Sequence, residues 1–273
     1  MHQIDRVKIK TELLEKARTG KRPMGLLLGM PSSDVVEIAA SMGFDWLLID
    51  TEHTTISTPL QLLTLIRTAE LYRMPTLVKL ATWEQVRATD ALDSGAFGIQ
   101  VPFVDNLEML REVIKAVRFK PEGNRGFCPA ARAAGFEVNH EAYDAFFEYQ
   151  KQALIMPLIE SKEALANIDD MLANSPEIPI FTIGAEDMRL SLGVDPDGKG
   201  RAHMRKIVHE LSHKMAAAGK IVCLPFDPLH DRTAAEAARD FDTMHNDMPY
   251  TSDTICLAFG LAESLRARDA GAK

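Results

Sequence analysis

Short apolar runs alternate with longer amphipathic stretches along this chain, and that alternation limits its fold more than any single motif. The runs are Met24–Gly29 (MGLLLG), Asp45–Ile49 (DWLLI), Thr76–Leu80 (TLVKL), Phe97–Val101 (FGIQV), Leu154–Ile159 (LIMPLI), Ile178–Ile183 (IPIFTI) and Lys220–Leu224 (KIVCL). An eighth, less apolar, lies near Met248–Ser252. Brief apolar runs bounded by turn residues read as strands buried on both faces. The stretches between them read as helices. Ser33–Met42 carries Val35, Val36, Ile38 and Ala39 behind a cap-like Ser-Ser-Asp, and Pro59–Tyr72 spaces Leu60, Leu63, Ile66 and Leu71 helically. Leu107–Val117 repeats Leu107, Leu110, Val113, Ile114 and Val117. Strands alternating with helices imply βαβ units and a parallel sheet. Seven or eight such units in roughly 250 residues predict a closed (β/α)8 TIM barrel, with residues 1–273 as one domain. One longer irregular insertion, about Lys120 to Gly135, follows the fourth unit.

Composition narrows the class. Of the 273 residues, 46% are hydrophobic and 26% charged, which excludes a disordered or fibrous chain. Lys and Arg total 31 against 39 Asp and Glu, a net charge of −8, which argues against nucleic acid as the main partner. No apolar run approaches ~20 residues, so no membrane span is expected. Met1 to Arg18 mixes charged and apolar residues and does not read as a signal peptide. Cys128, Cys223 and Cys256 form no CxxC, and an odd count suits a reducing, cytoplasmic setting. Cys223 and Cys256, in apolar surroundings, are expected in the core; Cys128, in the polar insertion, is expected to be exposed.

In an α/β barrel the chemistry gathers at the C-terminal ends of strands. Here the second run ends in Asp50, followed by Thr51, Glu52 and His53; the third ends near Lys79; the fifth ends in Glu160; the sixth leads into Gly184-Ala185-Glu186-Asp187. Polar residues often follow strands simply because loops begin there. As a set, however, a histidine, a lysine and several carboxylates have complementary chemistry. Glu160 and Asp187 would make a hard oxygen site suited to Mg²⁺ or Mn²⁺. His53 can serve as a general base near neutral pH, with Asp50 orienting its ring. Lys79 can neutralise a substrate carboxylate or an enolate oxygen. The set describes metal-assisted proton abstraction beside a carbonyl.

A competing motif lies at His209-Glu210-Leu211-Ser212-His213, which matches the HExxH of zinc hydrolases. Met204, Ile207, Val208, Leu211 and Met215 form the apolar stripe of this segment, so both histidines fall off its core face, with Lys206 beside them. The segment reads as the solvated face of a barrel helix.

Several of these stretches resemble the HpcH/HpaI aldolases, also called the 2,4-dihydroxyhept-2-ene-1,7-dioate aldolase family. The resemblance runs through GLLLGM, FDWLLIDTEH (Phe44 to His53), VPFVDNLEMLREVIKAVRFKPEGNRGF (Val101 to Phe127), LIMPLIESKEAL around Glu160, and FTIGAEDMRLSLG from Phe181. It implies a (β/α)8 barrel, a hexamer built as a trimer of dimers, and a class II pyruvate aldolase that uses a divalent metal (Mg²⁺, Mn²⁺ or Co²⁺) and no Schiff base. By resemblance Glu160 and Asp187 match the metal ligands. His53 matches the base, with Asp50 as its partner, and the backbone at Gly184, Ala185 and Glu186 matches the turn that holds the oxoacid carboxylate. The family usually has Arg where Lys79 stands, Gln where Leu158 stands, Trp where Leu27 stands and a small residue where Glu186 stands.

The function expected is a metal-dependent lyase joining or separating a 2-oxoacid such as pyruvate and an aldehyde, both small molecules. Two alternatives stay open: a divergent ketoacid-binding protein without aldol activity, and a zinc hydrolase built on His209 and His213.

Overall fold

The computed structural model describes residues 6–136, 147, 153–225 and 247–271. Eight parallel strands close into a barrel in chain order. They are β1 (Gly25–Leu28), β2 (Trp46–Asp50), β3 (Thr76–Lys79), β4 (Gly98–Val101), β5 (Leu154–Ile159), β6 (Ile180–Ile183), β7 (Ile221–Pro225) and β8 (Asp247–Ser252). Among the described residues the helices are α1 (Arg6–Arg18), α2 (Ser33–Met42), α3 (Pro59–Leu71), α4 (Gln85–Ser94), α5 (Leu107–Val117), α6 (Lys162–Ala173), α7 (Ala185–Ser191), α8 (Gly198–Ala217) and α9 (Asp253–Gly271). β8 closes onto β1 through Gly25↔Tyr250, Leu26↔Thr251 and Leu27↔Ser252. The (β/α)8 barrel expected from the alternation is the fold observed, with each of the eight apolar runs forming its strand.

Local chemistry starts the helices where the strands release the chain. Thr58 and Gln61 form a reciprocal capping box at α3, and Asn106, Ser161 and Asp197 each accept a first-turn amide of α5, α6 and α8. Each such cap satisfies a backbone N–H that has no helical acceptor, an effect of about 1 kcal/mol.

The period-two geometry of the strands divides the core in two. On β2, Leu47 and Ile49 face the helices, while Trp46 and Leu48 face the barrel axis together with Leu77, Met156, Ile180 and Met248. Gly25 leaves room for Trp46, because a Cβ there would stand 2.3 Å from the indole. Leu13 and Ala17 of α1 join the inner cluster and cover the barrel end where the strands begin. The strands therefore deliver their inward polar residues to the other end. There Asp253 Oδ2 accepts from the amides of Gly29 and Met30 at 2.9 and 2.7 Å, tying the top of β1 to the start of α9.

Three expectations from the sequence need correction. α3 buries Leu62, Leu65, Ile66 and Ala69, and leaves Leu60 and Leu71 exposed. Its contact stripe is thus rotated from the expected one, because the helix is set by docking on α2 and α4 rather than by its own most apolar line. Ile38 of α2 is exposed as well. Cys256 is exposed, since α9 turns Cys256, Leu257, Leu261 and Leu265 outward. Cys223 is buried and Cys128 exposed, as expected. The insertion after α5 is irregular up to a short 3-10 turn at Arg132–Ala134. Arg132 and Arg6 both pair there with the buried Glu70 of α3.

Candidate functional site

The inward alternation of β2 continues past Leu48 to Asp50, which is buried at the strand end. Its Oδ1 accepts the backbone N–H groups of Glu52 (2.8 Å) and His53 (3.2 Å), so the carboxylate folds the chain back over the barrel mouth. That turn carries the His53 ring into the open, with Nε2 3.3 Å from Glu52 Oε2. The carboxylate beside the ring is thus Glu52, while Asp50 holds the backbone on which both sit.

Lys79, the last residue of β3, pairs with Asp50 in strand register. Its Nζ stands 2.6 Å from Glu52 Oε2. The approach is an ion pair without hydrogen-bond alignment, and that buried oxygen has no hydrogen-bond partner. Charge attraction does not need linear geometry, so the two groups pair at this distance.

Glu160 follows β5 and is buried. Its Oε1 accepts the backbone N–H of Phe103 at 2.8 Å. Phe103 adopts φ +50 to make this contact, an uncommon conformation for a side chain of this size. Burial pushes the Glu160 carboxyl up to about 7; the Phe103 amide opposes this, the charges of Asp187 and Glu52 add to it, and Lys79 offsets part. Asp187 lies in the first turn of α7, directly after Gly184. A Cβ on Gly184 would stand 2.7 Å from Glu160 Cβ and 2.8 Å from its Oε2, so only glycine lets the sixth strand end against Glu160. Glu186 turns away, with Oε2 3.0 Å from Arg189 Nε and its side chain 83% exposed. The N–H groups of Ala185, Glu186 and Asp187 open α7 and have no helical acceptor.

The structure therefore gathers Asp50, Glu52, Lys79, Glu160 and Asp187 at one end of the barrel, with His53 at its rim. Four carboxylates gather around one lysine, and among the described residues only Glu52 is paired with its ammonium. Glu160 and Asp187 fit a hard divalent cation that keeps open positions, whose charge would offset the burial, and the lesser repulsion, that raise the Glu160 carboxyl.

The HExxH histidines lie elsewhere, on α8. Their Nε2 atoms are 3.0 Å apart, and His209 is exposed. Glu210 faces Lys206 at 3.8 Å. Among the described residues no group of three or more His, Cys, Asp or Glu side chains is arranged to hold a metal, so the pair has no third protein ligand of the kind a zinc site needs.

Comparison with known proteins places this barrel. A model of the HpcH/HpaI aldolase/citrate lyase family matches residues 24–239. This chain belongs to the HpcH/HpaI aldolase/citrate lyase family. Within it, the chain is 33% identical over 208 residues to a 2-keto-3-deoxy-L-rhamnonate aldolase of Salmonella gallinarum, covering 76% of this chain and 75% of that one. It is 32% identical over 206 residues to the enzyme of the same name from Escherichia coli O9:H4, with the same coverage. Among solved structures, an HpcH/HpaI aldolase/citrate lyase family protein from Burkholderia cenocepacia superposes with a TM-score of 0.81 at 22% identity, over 94% of this chain and 99% of that chain. Macrophomate synthase superposes with a TM-score of 0.77 at 23% identity, over 98% and 89%. These structural likenesses concern the barrel itself. The family resemblance read from the sequence is the family found. No helix among the described residues is long and apolar enough to cross a membrane.

A backbone group without any side-chain signature also shapes the site. Phe103 contributes through its backbone amide, which no side-chain motif reveals. Glu52, already read at the second strand end, supplies the carboxylate that both Lys79 and His53 approach. Its inward placement follows from the Asp50 turn and has no signature of its own.

Proposed function

We propose that this HpcH/HpaI family member is a divalent-metal-dependent lyase that makes or breaks a C–C bond between pyruvate, or a related 2-oxoacid, and an aldehyde. The observation that carries the reading is Glu160: a buried carboxylate, pinned by the Phe103 amide, crowded by Asp187 and Glu52, and faced by Lys79.

Glu160 and Asp187 would hold the cation, with Mg²⁺, Mn²⁺ and Co²⁺ as candidates. When bound, the cation supplies Lewis-acid polarisation of the oxoacid carbonyl. The first-turn amides of α7, at Ala185, Glu186 and Asp187, bind the substrate carboxylate, for which a helix start is suited. Lys79 offers an ammonium to negative charge that develops on oxygen as the C–C bond rearranges. His53 moves the proton of the hydroxyl that becomes the aldehyde, with Glu52 beside its ring and Asp50 fixing the turn that carries it. Leu158 and Leu27, both directed into the barrel, give the inner wall an apolar character.

We further propose a homo-oligomer, a hexamer arranged as a trimer of dimers, acting in the cytoplasm. The exposed line Leu257, Leu261 and Leu265 along α9 supports an assembly that covers it. The test of function is a cleavage screen of 4-hydroxy-2-oxoacids with Mg²⁺, Mn²⁺ or Co²⁺ and with EDTA. Metal-dependent release of pyruvate is expected. Binding of pyruvate without cleavage and without exchange of its methyl protons would point to a ketoacid binder with no aldol activity.

A further inference from the structure

Side chains inside a barrel of this kind stack in layers fed by alternate strands. By strand register, Leu48, Gln100, Thr182 and Tyr250, from β2, β4, β6 and β8, share the layer just beneath Lys79 and Leu158. Branched apolar residues usually fill such a layer, yet three of these four are polar. Two of the three serve the protein itself. Gln100 Nε2 donates to Thr182 Oγ1 at 3.1 Å, and Thr182 pairs with Cys223 in strand register.

Tyr250 is different. Its ring meets Trp46 edge-on, with centroids 6.2 Å apart and planes at 66°, and packs with the inner cluster that includes Leu27. It is thus inside the barrel, yet it is only partly buried. Its hydroxyl bonds to no described residue. α1 covers the end where the strands begin, so the opening this side chain meets is the mouth that holds Glu160 and Asp50. Interior hydroxyls almost always have a partner; one that faces the mouth without a protein partner is available to water or to a ligand. Burial first, then the neighbouring Cys223, Asp50 and Glu160, raise its pKa above that of an ordinary phenol. It therefore remains a neutral donor.

We propose that the Tyr250 hydroxyl is a substrate-contacting donor of this site, reaching up from the barrel interior to hydrogen-bond an oxygen of the bound 2-oxoacid. The inference rests on the ketoacid reading above and adds a residue to it that lies outside the metal and carboxylate set. Its geometry gives the interior polar layer a purpose: Gln100 and Thr182 lock one another, and Tyr250 is left to read the ligand.

Tyr250→Phe keeps the ring and its contact with Trp46 and removes only the donor. Pyruvate binding to the Mn²⁺-loaded protein is measured by calorimetry, alongside Mn²⁺ binding alone and thermal unfolding. The expected result is a dissociation constant for pyruvate raised about tenfold, the scale of one lost hydrogen bond to a charged ligand, with Mn²⁺ affinity and melting temperature unchanged. Equal pyruvate affinity in the two proteins would overturn the donor and leave the ketoacid reading standing. A loss of Mn²⁺ affinity that matches the loss of pyruvate affinity would also overturn it. Failure of the wild-type protein to bind pyruvate would overturn the ketoacid reading, and the donor with it.

Discussion

The ammonium of Lys79 stands 2.6 Å from Glu52 Oε2, so the lysine at this barrel mouth is held by a carboxylate that lies 27 positions earlier in the chain. A lysine used as a nucleophile must lose its proton, usually through burial or a cationic neighbour. Here the adjacent group is the Glu52 carboxylate, which engages the side chain as an ion pair.

Lys79 is therefore expected to act electrostatically. Lys79→Arg should retain substantial activity, and Lys79→Met should lose about 3 kcal/mol of transition-state stabilisation, as for a single oxyanion donor. Borohydride treatment in the presence of pyruvate, followed by intact-mass measurement, should leave Lys79 unmodified. A stoichiometric adduct there, with activity that survives EDTA, would contradict both the role and the metal requirement.

Removing the Glu160 charge should stabilise the metal-free protein. Its carboxyl is raised from 4.5 to about 7 on folding, so between those values the folded chain holds more proton than the unfolded chain. Stability then falls as pH rises through that window and levels off above 7. Glu160→Gln should melt higher than wild type at pH 8 in EDTA, by an amount worth up to about 3 kcal/mol, and nearly equally at pH 5. Equal melting at both pH values would show that the charge is not strained.

The same substitution, and Asp187→Asn, should abolish tight divalent-cation binding, since each removes one of the two carboxylates assigned to the ion. Calorimetric titration with Mn²⁺ reads this directly, and circular dichroism should show the fold intact. Wild-type affinity in both variants would remove the site from Glu160 and Asp187.

Gly184→Ala tests the tight ending of β6. The added methyl would stand 2.7 Å from Glu160 Cβ, so the carboxylate must shift. Mn²⁺ affinity and cleavage rate should each fall on the order of tenfold or more, because displacements of about 1 Å are felt at such sites. Unchanged affinity would mean that Glu160 does not need its present position.

His209→Ala combined with His213→Ala should change neither activity nor metal content, given a helix-surface pair without a third ligand. Loss of one equivalent of zinc from the double variant, measured by elemental analysis, would revive the hydrolase alternative.

Much of the architecture was legible in the sequence because it depends on local chemistry. LIMPLI and IPIFTI could be read as strands from their apolar length, and Glu160 and Asp187 from their place just beyond strand ends. Apolar spacing does not locate the buried stripe of α3, because Leu60 and Leu71 are as apolar as Leu62 and Leu65. Periodicity shows that a helix has an apolar side; the neighbouring helices decide which line of it is buried. Cys256 is exposed for the same reason, since its apolar neighbours Leu257, Leu261 and Leu265 on α9 also point outward.

What the sequence determined by itself was the alternation and order of β/α units and the chemical types that arrive at the strand ends. These follow from residue spacing along a few turns of chain. What only the tertiary structure decided was which of those groups meet: Glu52 with Lys79, the Phe103 amide with Glu160, Gly184 against the same carboxylate, Tyr250 in a layer with Gln100 and Thr182. Those pairings come from strand register and barrel closure, which join positions tens to hundreds of residues apart, and no local pattern encodes the stagger that sets them side by side.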